Sequence, residues 1–528
     1  MTYSRKILFI IACLALFYAC KNKKEQKEPA ATVDQSIPGN FSTQTEMKLD
    51  SNSIHLFLDS FPAFSSIAAD MKSFYTGRNN AYAWFDSTGM IEQAGNLFNR
   101  IKNITDDGID SNKMIYRTEL SNLMDNPAVQ TFDSSSIKTE LMLTAQYLMY
   151  AKTVWSGLDE KQSIAMEWLL PRNKISYNEM LDSLLSGKDV LTDPPVYKQY
   201  YLLKEFLKKY RAIEKEDTDS IITKLASLKK GDSLPEIGQV RKKLFLMEDI
   251  AANSGSNRFD EELEAGVKSF QDRVGLKATG IIKKEELKEL NVPIRKRIED
   301  ILVNMERSRW ITKNASGNNY VVVNIPEYKL HVYENDTLAW DMNVVVGKSQ
   351  SKTVIFNGDI KYVVFAPYWY IPASILKSEV LPGMKRNKNY LANHNMEWNG
   401  GNVRQKPGKN NSLGLVKFLF PNSHSIYLHD SPAKSLFNET NRAFSHGCIR
   451  LSEPKKMAEY LLRNDPDWNT AKIDSAMNSG KEKYVTLKQT VPVFIVYFTS
   501  WVGSKTGKLN FRKDIYDRDS RLLDMLLK

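Results

Sequence analysis

The chain has 528 residues, which is too long for one hydrophobic core and therefore predicts several domains. Hydrophobic residues make up 42% of it and aromatic residues 11%, which excludes a wholly disordered protein. Lys and Arg number 73 against 62 Asp and Glu, and the net charge of +11 indicates either an anionic partner or a basic surface without a specific partner.

Residues 1–19 have the pattern of a bacterial signal peptide. A short basic start precedes an apolar run at 7–18, which is too short to span a bilayer comfortably, and charged residues follow closely. Residues 16–20 resemble a loose lipobox, which implies cleavage before Cys20 and acylation of that cysteine. We therefore expect a lipoprotein signal peptide and a lipid anchor at Cys20. An ordinary signal peptide followed by a chance cysteine is the alternative.

Export changes the interpretation of the charge and of the three cysteines. We expect the protein at a membrane surface on the periplasmic side of the cell envelope. There it would meet anionic wall polymers and lipid headgroups rather than nucleic acid. Cys13 would leave with the signal peptide and Cys20 would carry lipid, so Cys448 would be the only remaining thiol. A single thiol in an oxidising compartment is either reactive or deeply buried.

The chain up to residue 319 is predicted to be mainly helical. Residues 20–53 are polar and without periodicity, which predicts a flexible tether. From 54 to 232 apolar residues recur at three- and four-residue spacing, which predicts a helical scaffold domain. Residues 233–293 form amphipathic segments around the loop GLKATG and predict a separate small domain. Residues 294–319 predict a connecting helix.

Residues 320–528 change to β-branched and aromatic residues that alternate with polar ones, which predicts a strand-rich domain. A segment at about 375–414, rich in Gly, Asn, Lys and Pro, interrupts it, and long irregular inserts of this kind often act as lids. The sequence therefore predicts a multidomain α+β fold: a helical N-terminal scaffold, a small helical domain, and a β-rich domain with an insert.

The stretch SHGCIRL at 445–451 surrounds the remaining thiol. In an extended segment His446, Cys448 and Arg450 would project to one face, and Gly447 would remove bulk beside the sulfur. Two cationic or polarisable neighbours should lower the pKa of the thiol and stabilise a thiolate, as an activated cysteine nucleophile requires.

A general base for this thiol is offered by SIYLHD at 425–430. As a strand it would place Tyr427 and His429 on one face, and the backbone carbonyl of Asp430 could hold one ring nitrogen of His429. His446 is nearer to the thiol in sequence, so the residues alone do not choose between the two histidines.

Two other interpretations of Cys448 remain open from the residues. It could be a small buried hydrophobic residue. It could also belong to a metal site with nitrogen and oxygen ligands, although the nearby positive charge of Arg450 disfavours a cation. The ligands of such a site would come from His424, His429, Asp430 and His446.

The run HD…FSHGCIRL resembles the signature of the YkuD-type L,D-transpeptidases, in which a histidine precedes Ser/Thr-His-Gly-Cys by fourteen to seventeen residues. Here fifteen residues separate His429 from Ser445. The resemblance extends through PYWYIP at 367–372, VPVFIVYFTSWV at 491–502 and FRKDIY at 511–516, and upstream it suggests the large YcbB-like subgroup.

Residues 233–293 resemble the three-helix peptidoglycan-binding domain. A plain helical linker domain is the alternative. The matching residues are Phe270, Gln271, Gly275, Leu276, Gly280, Leu287 and Asn291.

The family resemblance implies a peptidoglycan-remodelling enzyme. Its members attack the carbonyl of the third residue of a stem tetrapeptide, release D-Ala, and form a thioester. The side-chain amine of a second stem peptide then takes the acyl group, which gives a 3→3 cross-link. The resemblance implies Cys448 as nucleophile, His429 as base and the Asp430 carbonyl as its orienting group, with no cofactor or metal.

The resemblance also implies residues that contact or surround the substrate. His446 and Gly447 would line the site, the amides near Cys448 would form an oxyanion hole, and 375–414 would be a capping loop. Substrate contacts are expected from Tyr427, Ser445, Arg450 and Trp369, with Tyr370 and Lys406 nearby.

Three alternatives to 3→3 cross-linking remain. Water could resolve the acyl-enzyme, which would make the protein an L,D-carboxypeptidase, or a protein amine could be the acceptor. The chain could also be a non-catalytic wall-binding lipoprotein. The family suggests carbapenems as covalent inhibitors that acylate Cys448. A lipobox is not general in this subgroup, so the choice of membrane stays open.

Overall fold

The computed structural model describes residues 47–50, 52–86, 88–125, 136–172, 174–187, 195–217, 220–311 and 319–527. The predicted signal peptide, the proposed lipid anchor at Cys20 and nearly all of the tether lie outside these residues. Within the described ranges no helix is both long and apolar enough to cross a membrane.

The first part of the chain is a helical body, as predicted, and it also contains a small hairpin that was not predicted. Its hairpin pairs β1 (Phe85–Asp86) with β2 (Gly89–Met90). Single turns of other helix types occur at Pro62–Ile67, Ile104–Asp107, Ser111–Lys113 and Lys152–Ser156. Its α-helices are α1 (Ser53–Ser60), α2 (Ala68–Gly77), α3 (Glu92–Lys102), α4 (Arg117–Met124), α5 (Ser136–Ala151), α6 (Glu160–Ala165), α7 (Tyr177–Leu185) and α8 (Lys198–Ile213).

Helix α5 lies at the centre of this body, where 13 of its 16 residues are buried, polar ones among them. It also carries a buried carboxylate, Glu140. Glu140 accepts hydrogen bonds from the backbone N–H groups of Ala83 (2.7 Å) and Trp84 (2.8 Å) and from the Tyr75 hydroxyl (2.7 Å). Burial raises the pKa of Glu140 to about 7, although these hydrogen bonds oppose the shift. The carboxylate joins α5 to α2 and to the segment that follows α2.

The small helical domain consists of α9 (Pro235–Leu246), α10 (Glu261–Arg273) and α11 (Lys284–Leu290) around its own hydrophobic core. That core also includes Ile221 and Leu228, which lie before the predicted boundary at 233. The domain begins earlier than predicted because Leu228 forms a β-bridge with Ile282.

Gln271 explains part of the motif in this domain. Its buried side chain accepts the N–H of Gly280 (2.8 Å) and donates to the carbonyl of Ile281 (2.9 Å), so it holds the loop between α10 and α11. Gly280 lies at φ +75°, where a side chain is strained.

Helix α12 (Ile294–Arg309) follows where the connecting helix was predicted. Ile294, Ile298 and Ile301 belong to the core of the helical body, whereas Val303 belongs to the core of the strand-rich domain. This single helix therefore packs in both cores.

The strand-rich domain forms one nine-stranded sheet in the order β12-β5-β13-β11-β10-β6-β14-β3-β4, and β4 also pairs with β5, which closes part of the sheet on itself. Its strands are β3 (Asn319–Asn324), β4 (Lys329–Glu334), β5 (Thr337–Gly347), β6 (Asn357–Phe365), β10 (Val416–Leu419), β11 (Leu428–His429), β12 (Ala443–Ser445), β13 (Ile449–Leu451) and β14 (Lys483–Val496). Helices α16 (Pro454–Leu462) and α17 (Thr470–Asn478) pack in its core, and the hairpin β15 (Ser500–Val502) and β16 (Leu509–Phe511) precedes α18 (Asp519–Leu527). The multidomain α+β fold is thus confirmed.

The insert is more regular than its composition suggested. Its strand β9 (Asn402–Gln405) pairs with β7 (Trp369–Tyr370) and β8 (Met396–Asn399). A small core of its own, built from Ile371, Ile375, Val380 and Val403, supplies the apolar burial that orders it. Its helical segments are α13 (Ala373–Ile375), a π-turn at Leu376–Val380, α14 (Leu381–Arg386) and α15 (Tyr390–Asn393).

We expect Glu140→Ala to lower the free energy of unfolding of the helical body by on the order of 3 kcal/mol, because two buried N–H groups would lose their acceptor. Denaturant unfolding followed by tryptophan fluorescence measures this. The control is Glu119→Ala, which removes an exposed carboxylate from α4. Equal midpoints for the two variants would contradict the assignment.

Candidate active site

The site is built on a parallel pair of short strands. β11 and β13 pair with Leu428 opposite Ile449 and His429 opposite Arg450. Leu428 and Ile449 are completely buried in the sheet core, so His429 and Arg450 project from the other face. Tyr427 and Cys448 precede these strands and reach the same region: the rings of Tyr427 and His429 have centroids 5.7 Å apart, and Tyr427 lies close enough to Cys448 to lower the pKa of its thiol.

A compact turn presents Cys448. Gly447 adopts φ +115°, which favours glycine. The Ser445 hydroxyl donates to the carbonyl of Cys448 (2.6 Å) and accepts the N–H of Gly447 (3.2 Å). Ser445 is buried and its hydroxyl is used within the turn, and its contact with substrate stays a prediction.

The turn is tied to the C-terminal part of the domain by buried hydrogen bonds. The Thr353 hydroxyl donates to the carbonyl of Gly447 (2.8 Å), and the Thr353 N–H donates to the Tyr516 hydroxyl (3.1 Å). The N–H of Tyr516 in turn donates to the hydroxyl of Tyr497 (2.9 Å), which donates to Asp514 (2.5 Å). This chain of contacts gives the FRKDIY segment a structural role.

The thiol of Cys448 is half-buried, and its Sγ lies 3.6 Å from the carbonyl oxygen of Ser425. Burial raises the pKa of this thiol above its ordinary value, while hydrogen bonds from Tyr427 and the charge of Arg450 offset part of the shift. We had expected a lowered pKa. The difference arises because desolvation outweighs the favourable neighbours.

His429 is buried, and its Nδ1 donates to the backbone carbonyl of Asp430 at 2.5 Å. Burial lowers the pKa of the imidazole to about 3, with a further contribution from the charge of Arg450, against the hydrogen bonds to backbone carbonyls. The ring is therefore neutral near pH 7 and has Nε2 free of a proton. A neutral imidazole in this tautomer can accept a proton.

His446 has a different environment. Its Nε2 lies 3.2 Å from a carboxylate oxygen of Glu379 in the insert, and both side chains are exposed. The structure therefore places His429 on the face that carries the thiol, whereas His446 contacts the insert.

The remaining predicted residues lie in the insert or in the strand β7 that pairs with it. Trp369 packs against its small core, and Tyr370 is 48% exposed. Lys406 pairs with Glu397 at 3.0 Å. The described contacts bring none of the three to the sulfur.

The sequence analysis did not single out Lys417, Thr353 or Gly414. Lys417 lies directly opposite His429 in the pairing of β10 with β11. A lysine inside the apolar run LVKFLF was the available signal for this position. Thr353 gave no comparable signal because its role depends on contacts between distant segments.

The alternative of a metal site receives no support from the described residues. Among them no three His, Cys, Asp or Glu side chains come together in an arrangement that could hold a metal ion.

Comparison with known proteins identifies two domains. Residues 318–473 match the L,D-transpeptidase catalytic domain model called YkuD, and residues 69–207 match a scaffold domain model. A putative L,D-transpeptidase of Haemophilus influenzae is 31% identical over 245 residues, which cover 42% of this chain and 49% of that protein. The match thus spans about half the length of this curated relative.

Solved structures show more distant similarity. An L,D-transpeptidase from Stackebrandtia nassauensis is 15% identical, with 53% of this chain and 97% of that chain covered and a TM-score of 0.22. The LD transpeptidase LdtMt1 in complex with imipenem is 17% identical, with 34% and 59% covered and a TM-score of 0.19. Neither similarity supports a comparison of geometry.

The catalytic domain of this chain, residues 318–473, therefore belongs to the YkuD-type L,D-transpeptidases, and it follows a scaffold domain at residues 69–207.

Proposed function

We propose that this protein is a peptidoglycan L,D-transpeptidase that forms 3→3 cross-links between stem peptides through an acyl-enzyme on Cys448. The observation that carries the proposal is the placement of Cys448 and His429 on one face of the β11–β13 pair, inside the matched catalytic domain.

Thiol and imidazole are both neutral at rest, so proton transfer accompanies nucleophilic attack. His429 accepts the proton of the Cys448 thiol through Nε2 as the sulfur attacks the carbonyl carbon of the third stem residue. The C–N bond to D-Ala then breaks, and the leaving nitrogen takes that proton from the imidazole. A thioester on Cys448 and free D-Ala are the products of this half-reaction.

The second half-reaction returns the enzyme to its starting state. The side-chain amine of an acceptor stem peptide attacks the thioester and loses a proton to His429. The imidazole then passes the proton to the departing sulfur. Hydrogen bonds from Tyr427 and the charge of Arg450 stabilise the thiolate as it forms and as it leaves.

The negative oxygen of the tetrahedral intermediate needs hydrogen-bond donors. The N–H of Gly447 already contacts the Ser445 hydroxyl at 3.2 Å. We therefore assign the stabilisation of this negative oxygen mainly to the backbone N–H of Cys448.

Asp430 positions the base. Its carbonyl holds His429, and its carboxylate accepts the N–H groups of Ser431 (2.6 Å) and Leu415 (2.9 Å). Gly414, at φ +64°, packs directly against this carboxylate, because a Cβ there would lie 2.3 Å from the Cγ of Asp430. The absence of a side chain at 414 thus permits the position of His429.

Attachment to the envelope is also proposed. The lipobox-like sequence at 16–20 supports a lipid anchor on Cys20 at a membrane on the periplasmic side, and the motif held by Gln271 supports wall binding by the small helical domain.

We expect the purified protein to convert disaccharide-tetrapeptide into a dimer that lacks one D-Ala, and Cys448→Ala to form none. His429→Gln should slow the reaction by at least about 100-fold because the general base is lost. Mass spectrometry of the products measures both. Tripeptide monomer without dimer would indicate a carboxypeptidase, and no turnover by the unmodified protein would contradict the proposal.

Gly414→Ala should reduce turnover by about 100-fold, because the new Cβ displaces Asp430 and with it His429. Gly480→Ala is the matched control: Gly480 has nearly the same φ, +66°, but a Cβ there meets nothing within 4 Å. Steady-state rates are compared with melting temperatures. An equal loss of activity in the two variants would contradict the positioning role of the close contact.

A carbapenem should acylate Cys448, because its strained carbonyl presents the same target to the thiol as the stem peptide. We expect the intact mass to increase by one carbapenem, and no increase in Cys448→Ala. An unchanged mass for a folded protein whose thiol still reacts with iodoacetamide would oppose the assignment.

A further inference from the structure

The sheet register places one row of side chains across the catalytic face. Arg450 pairs with His429, His429 with Lys417, and Lys417 with Val364. The neighbours of Lys417 along β10, Val416 and Phe418, are fully buried in the sheet core. Because side chains alternate along a strand, Lys417 projects to the face of His429. The imidazole therefore lies between two cationic residues.

The ammonium group of Lys417 has only weak partners in the protein: the ring of Tyr484, whose centroid lies 5.9 Å from Nζ, and a distant carboxylate. Lys417 is only 7% exposed, and its Nζ lies 3.8 Å from Oε1 of Glu482, beyond hydrogen-bond distance. That oxygen already accepts the N–H of Tyr368 at 2.9 Å. Burial lowers the pKa of Lys417, and the charge of Glu482 offsets only part of this. A buried ammonium in this state gains free energy when an anion reaches it.

Arg450, on the other side of His429, is in a similar state. Among the described residues no carboxylate lies within 4 Å of its guanidinium, and its buried Nε has no hydrogen-bond partner. Both cations lower the pKa of His429. The face therefore has a positive potential that suits an anionic ligand.

The reaction indicates which anion reaches Lys417. His429 must contact the leaving nitrogen of D-Ala, and the carboxylate of D-Ala is only one Cα away from that nitrogen. β11 lies between β13, which follows Cys448, and β10, which carries Lys417. A leaving residue that extends from the sulfur past His429 therefore directs its carboxylate toward β10, the strand that carries Lys417.

We propose, on the basis of the proposed function, that Lys417 binds the terminal carboxylate of the donor peptide and so selects donors with a single residue after the scissile bond. A stem pentapeptide has an amide at this position and cannot form the ion pair. The same ion pair cancels a positive charge next to His429, so the bound donor makes the imidazole a stronger base at the step that needs one.

The test measures binding to the Cys448→Ala variant, which removes turnover from the experiment. Calorimetry compares a tetrapeptide that ends in free D-Ala with the same peptide that ends in D-Ala amide. We expect the free acid to bind at least 10-fold more tightly. With Lys417→Gln added, this ratio should fall to about 1, and with Lys417→Arg it should largely return.

Lys361→Gln is the matched control, because Lys361 is an exposed lysine on β6 of the same sheet. It should leave the acid-to-amide ratio unchanged. Glu482→Gln keeps the acceptor for Tyr368 but removes the negative charge near Lys417, so it should increase the ratio. This variant keeps the proposal testable if Lys417→Gln does not fold.

If the free acid still binds at least 10-fold more tightly than the amide after Lys417→Gln, the proposal is overturned. Equal weakening of the binding of acid and amide by this substitution would also overturn it. A third peptide is amidated at the side-chain carboxyl group of its third residue, while its terminal carboxylate stays free. Its binding should keep the full dependence on Lys417, and loss of that dependence would also overturn the proposal. Failure of the proposed function would be seen in a different experiment, as the absence of cross-linking by the unmodified protein. The binding measurement is independent of that result because it requires no catalysis.

Discussion

The catalytic face depends on the parallel pairing of β11 and β13, which contain only two and three residues. A slip of β11 by one residue would turn His429 into the core and Leu428 out of it, and the same slip of β13 would exchange Arg450 and Ile449. Strands this short have little stability of their own. Their register is maintained by what surrounds them: the turn closed by Ser445 and the close packing of Gly414 against Asp430.

The helical body is joined to this sheet through buried polar contacts of α12. Glu306 accepts the N–H of Leu158 (2.6 Å) and the indole N–H of Trp310 (2.9 Å). Arg309 donates to the carbonyls of Val154 (2.8 Å) and Asp107 (2.7 Å). Removing one partner would leave buried charge or backbone groups unsatisfied, so relative motion of the two parts at this junction is costly. The scaffold therefore behaves as part of the frame that holds the catalytic domain.

The sequence was informative where spacing is local and much less so where contacts are distant. Helical and strand periodicities predicted the helical and strand-rich parts of the chain, and the motif indicated Cys448 and His429 as candidates. The ionisation of the thiol was not predictable, because it depends on how far burial outweighs Tyr427 and Arg450. The apolar run around Lys417 marks this lysine as unusual, but its position opposite His429 follows only from the strand register, which an isolated sequence does not provide. The insert was mistaken for an irregular segment because its few apolar residues are widely spaced among polar ones.

The hydrogen bonds from Thr353 through Tyr516 to Tyr497 have a consequence for how the enzyme matures and fails. Synthesis proceeds from the amino end, so Cys448, the proposed nucleophile, emerges well before the tyrosines that support its turn. Until then the chain carries the full motif on an unsupported loop. A protease that removed the segment after Phe511 would return the enzyme to this immature condition while leaving every residue of the signature in place. An intact motif is therefore weaker evidence of a working enzyme than an intact motif together with this distal segment.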